Sequence, residues 1–252
     1  MGMIRKAFAV GKFYPKDKEK LEKMIDEFLE NVKAERLNAK GFVMPHAGYM
    51  YSGKVAAFGY KIIKSLKVNR IVLLGPSHFV PFVGSSISTA EFWETPLGKV
   101  KVEKVKTEFL DFEEAHRYEH SIEVQLPFLQ KVLDDFKIIP ISIGDDDYEF
   151  IAEQIEKLID NKTIVIASSD LSHYYDYKTA VKIDERANKS IPNLDIKNAE
   201  KIEACGKTAI LSLMKIANDS GWVGKKLFYA NSGDITGDKD QVVGYGCYAF
   251  YE

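Results

Sequence analysis

Cysteine is scarce in this chain: Cys205 and Cys247 are the only two among 252 residues. Two thiols are too few for a disulfide scaffold, so a reducing cytoplasm is the compartment we expect. The sequence also lacks an apolar run of membrane-spanning length, and residues 1–6 lead into a segment that turns polar too early for a signal peptide. We therefore expect a cytoplasmic protein with no membrane contact.

A charge imbalance is also missing. Lys and Arg together number 35 against 37 Asp and Glu, which gives a formal net charge of -2. Without an excess of positive charge or an Arg-rich patch, nucleic-acid binding is not expected. No Pro-, Gly- or Ser-rich linker divides the chain, and 46% of its residues are hydrophobic. We therefore expect one domain, residues 1–252, with a large core.

Three short apolar runs are present, and each is followed by a side chain that can bind a metal or move a proton. Residues 41–44 precede His46, residues 70–74 precede His78, and residues 163–167 precede Asp170 and His173. Apolar runs of this length, bounded by breakers, are typical of buried strands.

Helical periodicity alternates with these strands, over residues 17–32, 53–66, 148–159 and 176–190. This alternation predicts an α/β three-layer sandwich, with a central mostly parallel sheet between helices. Residues 80–106 lose the helical period, and there we predict an antiparallel excursion in which 87–90 and 98–102 are strands. A helix is predicted over residues 108–117.

The carboxyl edge of such a sheet is where ligands bind, because loops and helix N-termini gather there. Four side chains are predicted at that edge: His46, His78, Asp170 and His173. Imidazole and carboxylate together are usual ligands of iron, zinc, manganese and copper. The sequence therefore predicts a metal site, although a single histidine in such a loop is more often an ordinary hydrogen-bonding residue.

Two further groups have alternative interpretations. Cys205 is either a small core residue or a thiol near a helix N-terminus, where the thiolate would be favoured. Glu119, His120 and Glu123 are either outer partners that orient metal-bound histidines or simply the polar start of a helix. Of the remaining candidates, we expect His116 to be exposed and Cys247 to be buried.

Six ordered motifs together resemble the Memo family, whose members are similar in fold to the class III extradiol, LigB-type non-haem iron dioxygenases. The motifs are Gly-Lys-Phe-Tyr-Pro at 11–15, Pro-His-Ala-Gly-Tyr at 45–49, Gly-Pro-Ser-His at 75–78, Glu-His-Ser-Ile-Glu at 119–123, Ser-Ser-Asp-Leu-Ser-His at 168–173 and Cys-Gly at 205–206.

The resemblance implies particular roles for these residues. His46 and His78 match two metal-ligand histidines, Cys205 matches a further ligand, and Asp170 and His173 match the remaining pocket residues. The implied cofactor is iron or copper, with zinc possible. The dioxygenases complete their iron site with a carboxylate, whereas Cys205 stands in that role here. The resemblance therefore does not directly imply ring-cleaving activity for this chain. Family members are described as redox proteins and, in animals, as signalling adaptors; radical-SAM and AMMECR-type proteins are implied partners.

Three functions follow from these observations. The leading hypothesis is a metal-dependent oxidoreductase acting on a small molecule, with His173 as general acid/base, Asp170 beside the metal, and Tyr49 among the outer residues. A second hypothesis is a non-catalytic module that binds a peptide or protein through exposed aromatics such as Tyr49, Tyr51 and Trp93. A third is a metal-dependent hydrolase with water on zinc.

Overall fold

A computed structural model describes residues 2–252. Its strands in chain order are β1 Ile4–Arg5, β2 Ala39–Met44, β3 Arg70–Pro76, β4 Ser85–Ile87, β5 Phe92–Thr95, β6 Gly98–Val102, β7 Lys137–Ile143, β8 Thr163–Ser168, β9 His173–Tyr175, β10 Val223–Asn231 and β11 Val242–Tyr251. Its α-helices are α1 Lys18–Glu30, α2 Tyr49–Ile63, α3 Glu114–Arg117, α4 Leu126–Val132, α5 Tyr148–Glu156, α6 Tyr177–Ser190, α7 Ile196–Ala199, α8 Lys207–Asp219 and α9 Ser232–Thr236, and a 3₁₀ turn spans Glu123–Gln125.

The strands form one mixed sheet in the order β1-β5-β6-β7-β3-β8-β2-β11-β10, with β4 beside β7 and β9 beside β11. The central strands β6, β7, β3, β8 and β2 are mutually parallel. Antiparallel strands β11 and β10 extend the sheet beyond β2. The predicted α/β class with a central mostly parallel sheet is confirmed.

Alternate residues of the central strands pack on opposite faces of the sheet, which makes three layers. Phe42 and Met44 of β2 join one buried cluster, together with apolar residues of α1, α2 and α4. Val43 joins a second buried cluster, with residues of α5, α6 and α8. Because both faces of β3, β7 and β8 are covered, these inner strands are almost continuously apolar, whereas β6 alternates exposed lysines with buried valines.

Helix α1 shows how the covering helices arise from the sequence. Asp17 caps the helix by accepting a hydrogen bond from the backbone N–H of Lys20 at 2.9 Å. Leu21, Ile25 and Leu29 recur every four residues and are buried. The charged residues between them face solvent. In residues 2–252, no helix combines the length and the apolar character that crossing a bilayer requires.

Two predictions about residues 80–117 are wrong in detail. The hairpin partner of β6 is β5, Phe92–Thr95, rather than residues 87–90. The predicted helix over 108–117 is reduced to α3, because residues 110–112 bond to β4 instead: Ile87 N–H donates to Leu110 O, and Leu110 N–H donates to Ser85 O. Periodicity alone does not show this competition for backbone partners.

Candidate metal centre

Three histidines meet at the carboxyl edge of the sheet. His46 follows β2 and His78 follows β3, while β8 lies between those two strands. His120 comes from the loop between α3 and the 3₁₀ turn. One ring nitrogen from each histidine lies within 4.8 Å of the others. We call this group the histidine cluster.

A cavity of about 830 Å³ opens onto the histidine cluster. The other side chains on its wall that matter for chemistry are Asp170, His173 and Cys205, with Tyr51, Tyr174 and Tyr245 as aromatic surfaces. Among the described residues that line it there is no lysine or arginine. All four residues predicted at the sheet edge therefore line the same cavity: His46, His78, Asp170 and His173.

His46 is held on two sides. Its Nδ1 lies 3.0 Å from the hydroxyl of Ser168, and its backbone N–H donates to Asp170 Oδ1 at 2.8 Å. The side chain is buried. Burial, followed by repulsion from His78, lowers the pKa of His46 to about 3. The imidazole is therefore neutral near pH 7, the form that binds metal ions.

His78 is oriented by Glu119. Its Nδ1 lies 2.9 Å from Glu119 Oε1, and its backbone N–H donates to Oε2 at 2.6 Å. Burial alone would raise the pKa of Glu119, but the hydrogen bonds and charge of His78 outweigh it and lower that pKa to about 2. A carboxylate that accepts from one imidazole nitrogen leaves the other nitrogen available for a ligand. Glu119 thus makes the contact expected of an outer partner, and its role at a metal remains a prediction.

His120 lies in the cluster itself, whereas the sequence placed it among the outer partners. Its ring stacks on Phe13 with centroids 4.2 Å apart and on His78 with centroids 4.7 Å apart. Its Nδ1 is buried, with Glu119 Oε1 at 3.3 Å but no aligned hydrogen bond. Burial, and then the repulsion that would arise if His46 and His120 were both protonated, lower the pKa of His120 to about 3. In the sequence, His120 was connected with the site by its position beside Glu119 and by the Glu-His-Ser-Ile-Glu motif at 119–123.

Cys205 reaches the cluster from the other side. Its Sγ lies 3.2 Å from His46 Nε2 and accepts from the backbone N–H of Asp170 at 3.3 Å. The residue precedes α8, whose N-cap is Gly206, so the predicted place near a helix N-terminus is confirmed. The expected thiolate is not confirmed, because burial and then the charge of Asp170 raise the pKa of Cys205 to about 12.

Asp170 and His173 border the same cavity. Asp170 is buried, and its Oδ1 accepts from the backbone N–H groups of His46 and Ala47. Burial raises its pKa despite these hydrogen bonds. His173 begins β9, where it pairs with Val243, and is half-buried on the cavity wall. A carboxyl group and an imidazole are therefore available for proton transfer beside the cluster.

Several predicted residues lie elsewhere. Glu123 accepts hydrogen bonds from the backbone of Phe8 and Ala9 and from the side chains of Arg5 and Tyr14. The hydroxyl of Tyr49 donates to Val124 O at 2.6 Å inside the core. These contacts tie the N-terminal segment and α2 to the 3₁₀ turn that follows the His120 loop, rather than touching the histidine cluster.

The expected exposure of three residues is wrong. His116 is fully buried, because Trp93 packs against its ring and its Nε2 donates to Ser86 O at 3.1 Å. Trp93 is fully buried too, and Tyr49 is 2% exposed. Two of the three aromatics proposed for peptide binding are therefore core residues, while Tyr51 lines the cavity. Cys247 is buried, as predicted.

Comparison with known proteins gives one family. Residues 5–249 match the family described as Memo-like protein. A MEMO1 family protein of Nitrosopumilus maritimus is 35% identical, over 98% of this chain and 100% of the relative. One of Methanosarcina mazei is 39% identical, over 96% and 97%, and one of Saccharolobus solfataricus is 39% identical, over 96% and 98%. With a family match over nearly its whole length and full-length relatives at this identity, the chain belongs to the Memo family.

Proposed function

We propose that the histidine cluster binds iron or copper, with zinc possible, and that the chain is a non-haem metal-dependent oxidoreductase for a small molecule. The observation that carries this proposal is the convergence of three imidazole nitrogens, within 4.8 Å, on the wall of an 830 Å³ cavity. Such a cavity is large enough for a small organic substrate.

The donors fit such an ion. Imidazole nitrogen suits iron, copper and zinc. His46 and His120 both have a pKa lowered to about 3, chiefly by burial, so protons do not compete for their nitrogens near neutral pH. Glu119 fixes the ring of His78 through Nδ1.

Cys205 would be a further donor in this proposal: its Sγ is not among the ligand atoms that all lie within 4.8 Å of one another, but it lies close to one of them, His46 Nε2. Two donors bound to one ion at about 2.1 Å for nitrogen and about 2.3 Å for sulfur lie roughly 3.1–3.6 Å apart, for angles between about 90° and 110°. The 3.2 Å between Cys205 Sγ and His46 Nε2 falls in that range. Because the pKa of Cys205 is raised to about 12, the ion would have to displace the thiol proton, and the resulting thiolate beside imidazoles would favour copper, zinc or thiolate-bound iron.

The chain's own residues would bind the substrate and handle its protons. When bound, iron or copper would supply the electron transfer that side chains cannot. Tyr51 and Tyr245 give the cavity aromatic walls, and His173, which also lines it, would accept or donate a proton at an imidazole nitrogen. Asp170 holds the backbone of His46 and Ala47, which keeps the ring of His46 at the cavity wall.

Metal analysis of protein purified without a metal-affinity tag tests the proposal. Wild-type protein loaded with iron or copper should retain about one ion per chain, and His46→Ala, His78→Ala and His120→Ala should each lose it. Cys205→Ser should bind more weakly. His116→Gln is the matched control, because this buried histidine lies outside the cluster, and it should retain the ion. Equal metal content in wild-type protein and the three cluster variants would reject the proposal.

A hydrolase is the second candidate. Three imidazoles without a carboxylate in the cluster are also the donor set of one class of catalytic zinc site. Oxygen consumption by the iron- or copper-loaded protein would favour the oxidoreductase, whereas ester or amide cleavage by the zinc-loaded protein would favour the hydrolase. Radical-SAM and AMMECR-type proteins remain proposed partners on family grounds.

A further inference from the structure

Behind His46 lies a chain of buried polar groups centred on Ser168. The hydroxyl of Ser168 has three polar neighbours: Ser121 O at 2.6 Å, Gln125 Nε2 at 2.7 Å and His46 Nδ1 at 3.0 Å. The side chains of all four residues are at most 1% exposed. Buried polar hydrogens nearly always have a hydrogen-bond partner, so the donors and acceptors in this group can be assigned from its contacts.

The orientation of the Gln125 amide follows from its other contacts. Its Nε2 lies 3.0 Å from Pro45 O, a carbonyl that can only accept, and its Oε1 accepts from the hydroxyl of Tyr60 at 2.5 Å. A flipped amide would place two acceptors against each other at Pro45. Gln125 Nε2 therefore donates to Ser168.

The single proton of Ser168 is assigned in the same way. A carbonyl oxygen and a hydroxyl oxygen 2.6 Å apart need a hydrogen between them, and only the hydroxyl can supply it. Since Ser168 donates to Ser121 O and accepts from Gln125, its remaining interaction is with His46 Nδ1. That nitrogen must be the donor.

We propose that Ser168, oriented by Gln125, is a positioning residue that holds His46 as its Nδ1–H tautomer and directs the lone pair of Nε2 toward the cavity. The inference deepens the proposed function and rests on it for its purpose, because a metal-binding imidazole is normally fixed by a hydrogen bond from its other nitrogen. The unprotonated nitrogen is then Nε2, which lies 3.2 Å from Cys205 Sγ and can accept a hydrogen bond from that thiol until a cation replaces the proton. A cation entering the cavity would thus meet a preformed nitrogen donor beside a sulfur atom.

Nitrogen NMR of metal-free protein labelled with ¹⁵N-histidine tests the tautomer directly. Correlations from the ring carbon-bound protons distinguish a protonated from an unprotonated nitrogen, and the His46 signals are identified by their loss in His46→Ala. Wild-type protein should show a protonated Nδ1 and an unprotonated Nε2 at His46. Ser168→Ala should shift both nitrogens toward the values of a tautomer mixture, and Ser168→Thr, which keeps a hydroxyl, should restore the wild-type pattern.

Ser212→Ala is the matched control, because it removes another buried hydroxyl, one that bonds within α8 to Thr208 O. It should leave the His46 signals unchanged. If Ser168→Ala does not fold, the wild-type spectrum still decides: a protonated Nε2 at His46 would overturn the inference. An unchanged His46 pattern in folded Ser168→Ala would overturn it too.

Zn²⁺ binding, measured by competition with a chromophoric chelator, separates this inference from the proposed function. Ser168→Ala should bind Zn²⁺ about 10–100-fold more weakly than wild-type protein, the usual effect of removing such a partner. If wild-type protein has the predicted tautomer and binds no iron, copper or zinc, the proposed function fails and the tautomer assignment stands. If wild-type protein binds the metal tightly but has a protonated Nε2 at His46 when metal-free, the tautomer assignment fails and the proposed function stands.

Discussion

Glu119 and Glu123 are two buried carboxylates four residues apart on one segment, and they serve different parts of the molecule. Glu119 accepts from the ring and backbone of His78, on the wall of the cavity. Glu123 accepts from Arg5, Tyr14 and the backbone at Phe8 and Ala9, within the folded core.

The same division separates the two histidines of this segment. His120 lines the cavity and stacks on His78, whereas His116 is enclosed by Trp93 and bonded to Ser86 O. Residues of the same type therefore alternate between holding the fold and forming the site. Buried polar residues in this segment differ in what their partners are rather than in how buried they are.

The largest effect is expected from breaking the Glu123 contacts. Glu123→Gln removes the charge that compensates buried Arg5 and should lower the free energy of unfolding by about 3–5 kcal/mol, measured by urea titration. Glu185→Gln breaks an exposed pair with Lys189 and is the control; little change is expected there. If the two variants were equally stable, Glu123 would not have the structural role assigned to it.

Glu119→Gln should act on the site instead. The amide can no longer give His78 Nδ1 a charged acceptor, so Zn²⁺ affinity should fall about 10–100-fold, as judged by chelator competition. Glu113→Gln is the matched control, because Glu113 binds Ser88 and Thr89 away from the cluster, and Zn²⁺ affinity should be unchanged. A Glu119→Gln protein that binds Zn²⁺ like wild type would remove the distinction between the two carboxylates.

The buried histidines predict a pH dependence of stability. Burial, then repulsion by Arg5, lowers the pKa of His116 from 6.5 to about 3. Between these values the unfolded chain binds the proton and the folded chain does not, so stability is fully present above pH 6.5 and falls as the pH drops toward 3.

His116→Gln should remove one such group. In chelator-treated protein, its unfolding free energy should fall less steeply than that of wild type below pH 6.5, by up to about 1.4 kcal/mol per pH unit. Urea titrations at several pH values between 7.5 and 4.5 give the two slopes. Parallel curves for the two proteins would contradict the buried, neutral state of His116.

The sequence predicted those parts of this arrangement that depend on local pattern. β2, β3 and β8 were recognisable because strands covered on both faces are continuously apolar, and His46 and His78 were placed because they follow such strands. Their convergence followed from the rule that parallel strands share a carboxyl edge.

The positions of Trp93, His116 and His120 were not predictable in the same way. Arg5 packs over the ring of Trp93 at 4.3 Å and donates to His116 O across 111 residues of sequence. Nothing in the local pattern around His116 shows that contact. His120 likewise depends on Glu119 and Phe13, which come together only when the N-terminal segment docks on the sheet.

The smallest effect is expected from substitution of Tyr49, which tests the same division between residues that hold the fold and residues that form the site. The sequence assigned it to the outer part of the metal site, but its hydroxyl donates to Val124 O beside the Glu123 segment, and its ring packs on Phe128. Tyr49→Phe keeps the ring and removes one buried hydrogen bond, so the free energy of unfolding should fall by about 0.5–1.5 kcal/mol while Zn²⁺ affinity stays at the wild-type value. A weaker Zn²⁺ affinity with unchanged stability would instead place Tyr49 on the side of Glu119, because only coupling to the histidine cluster would produce that pattern.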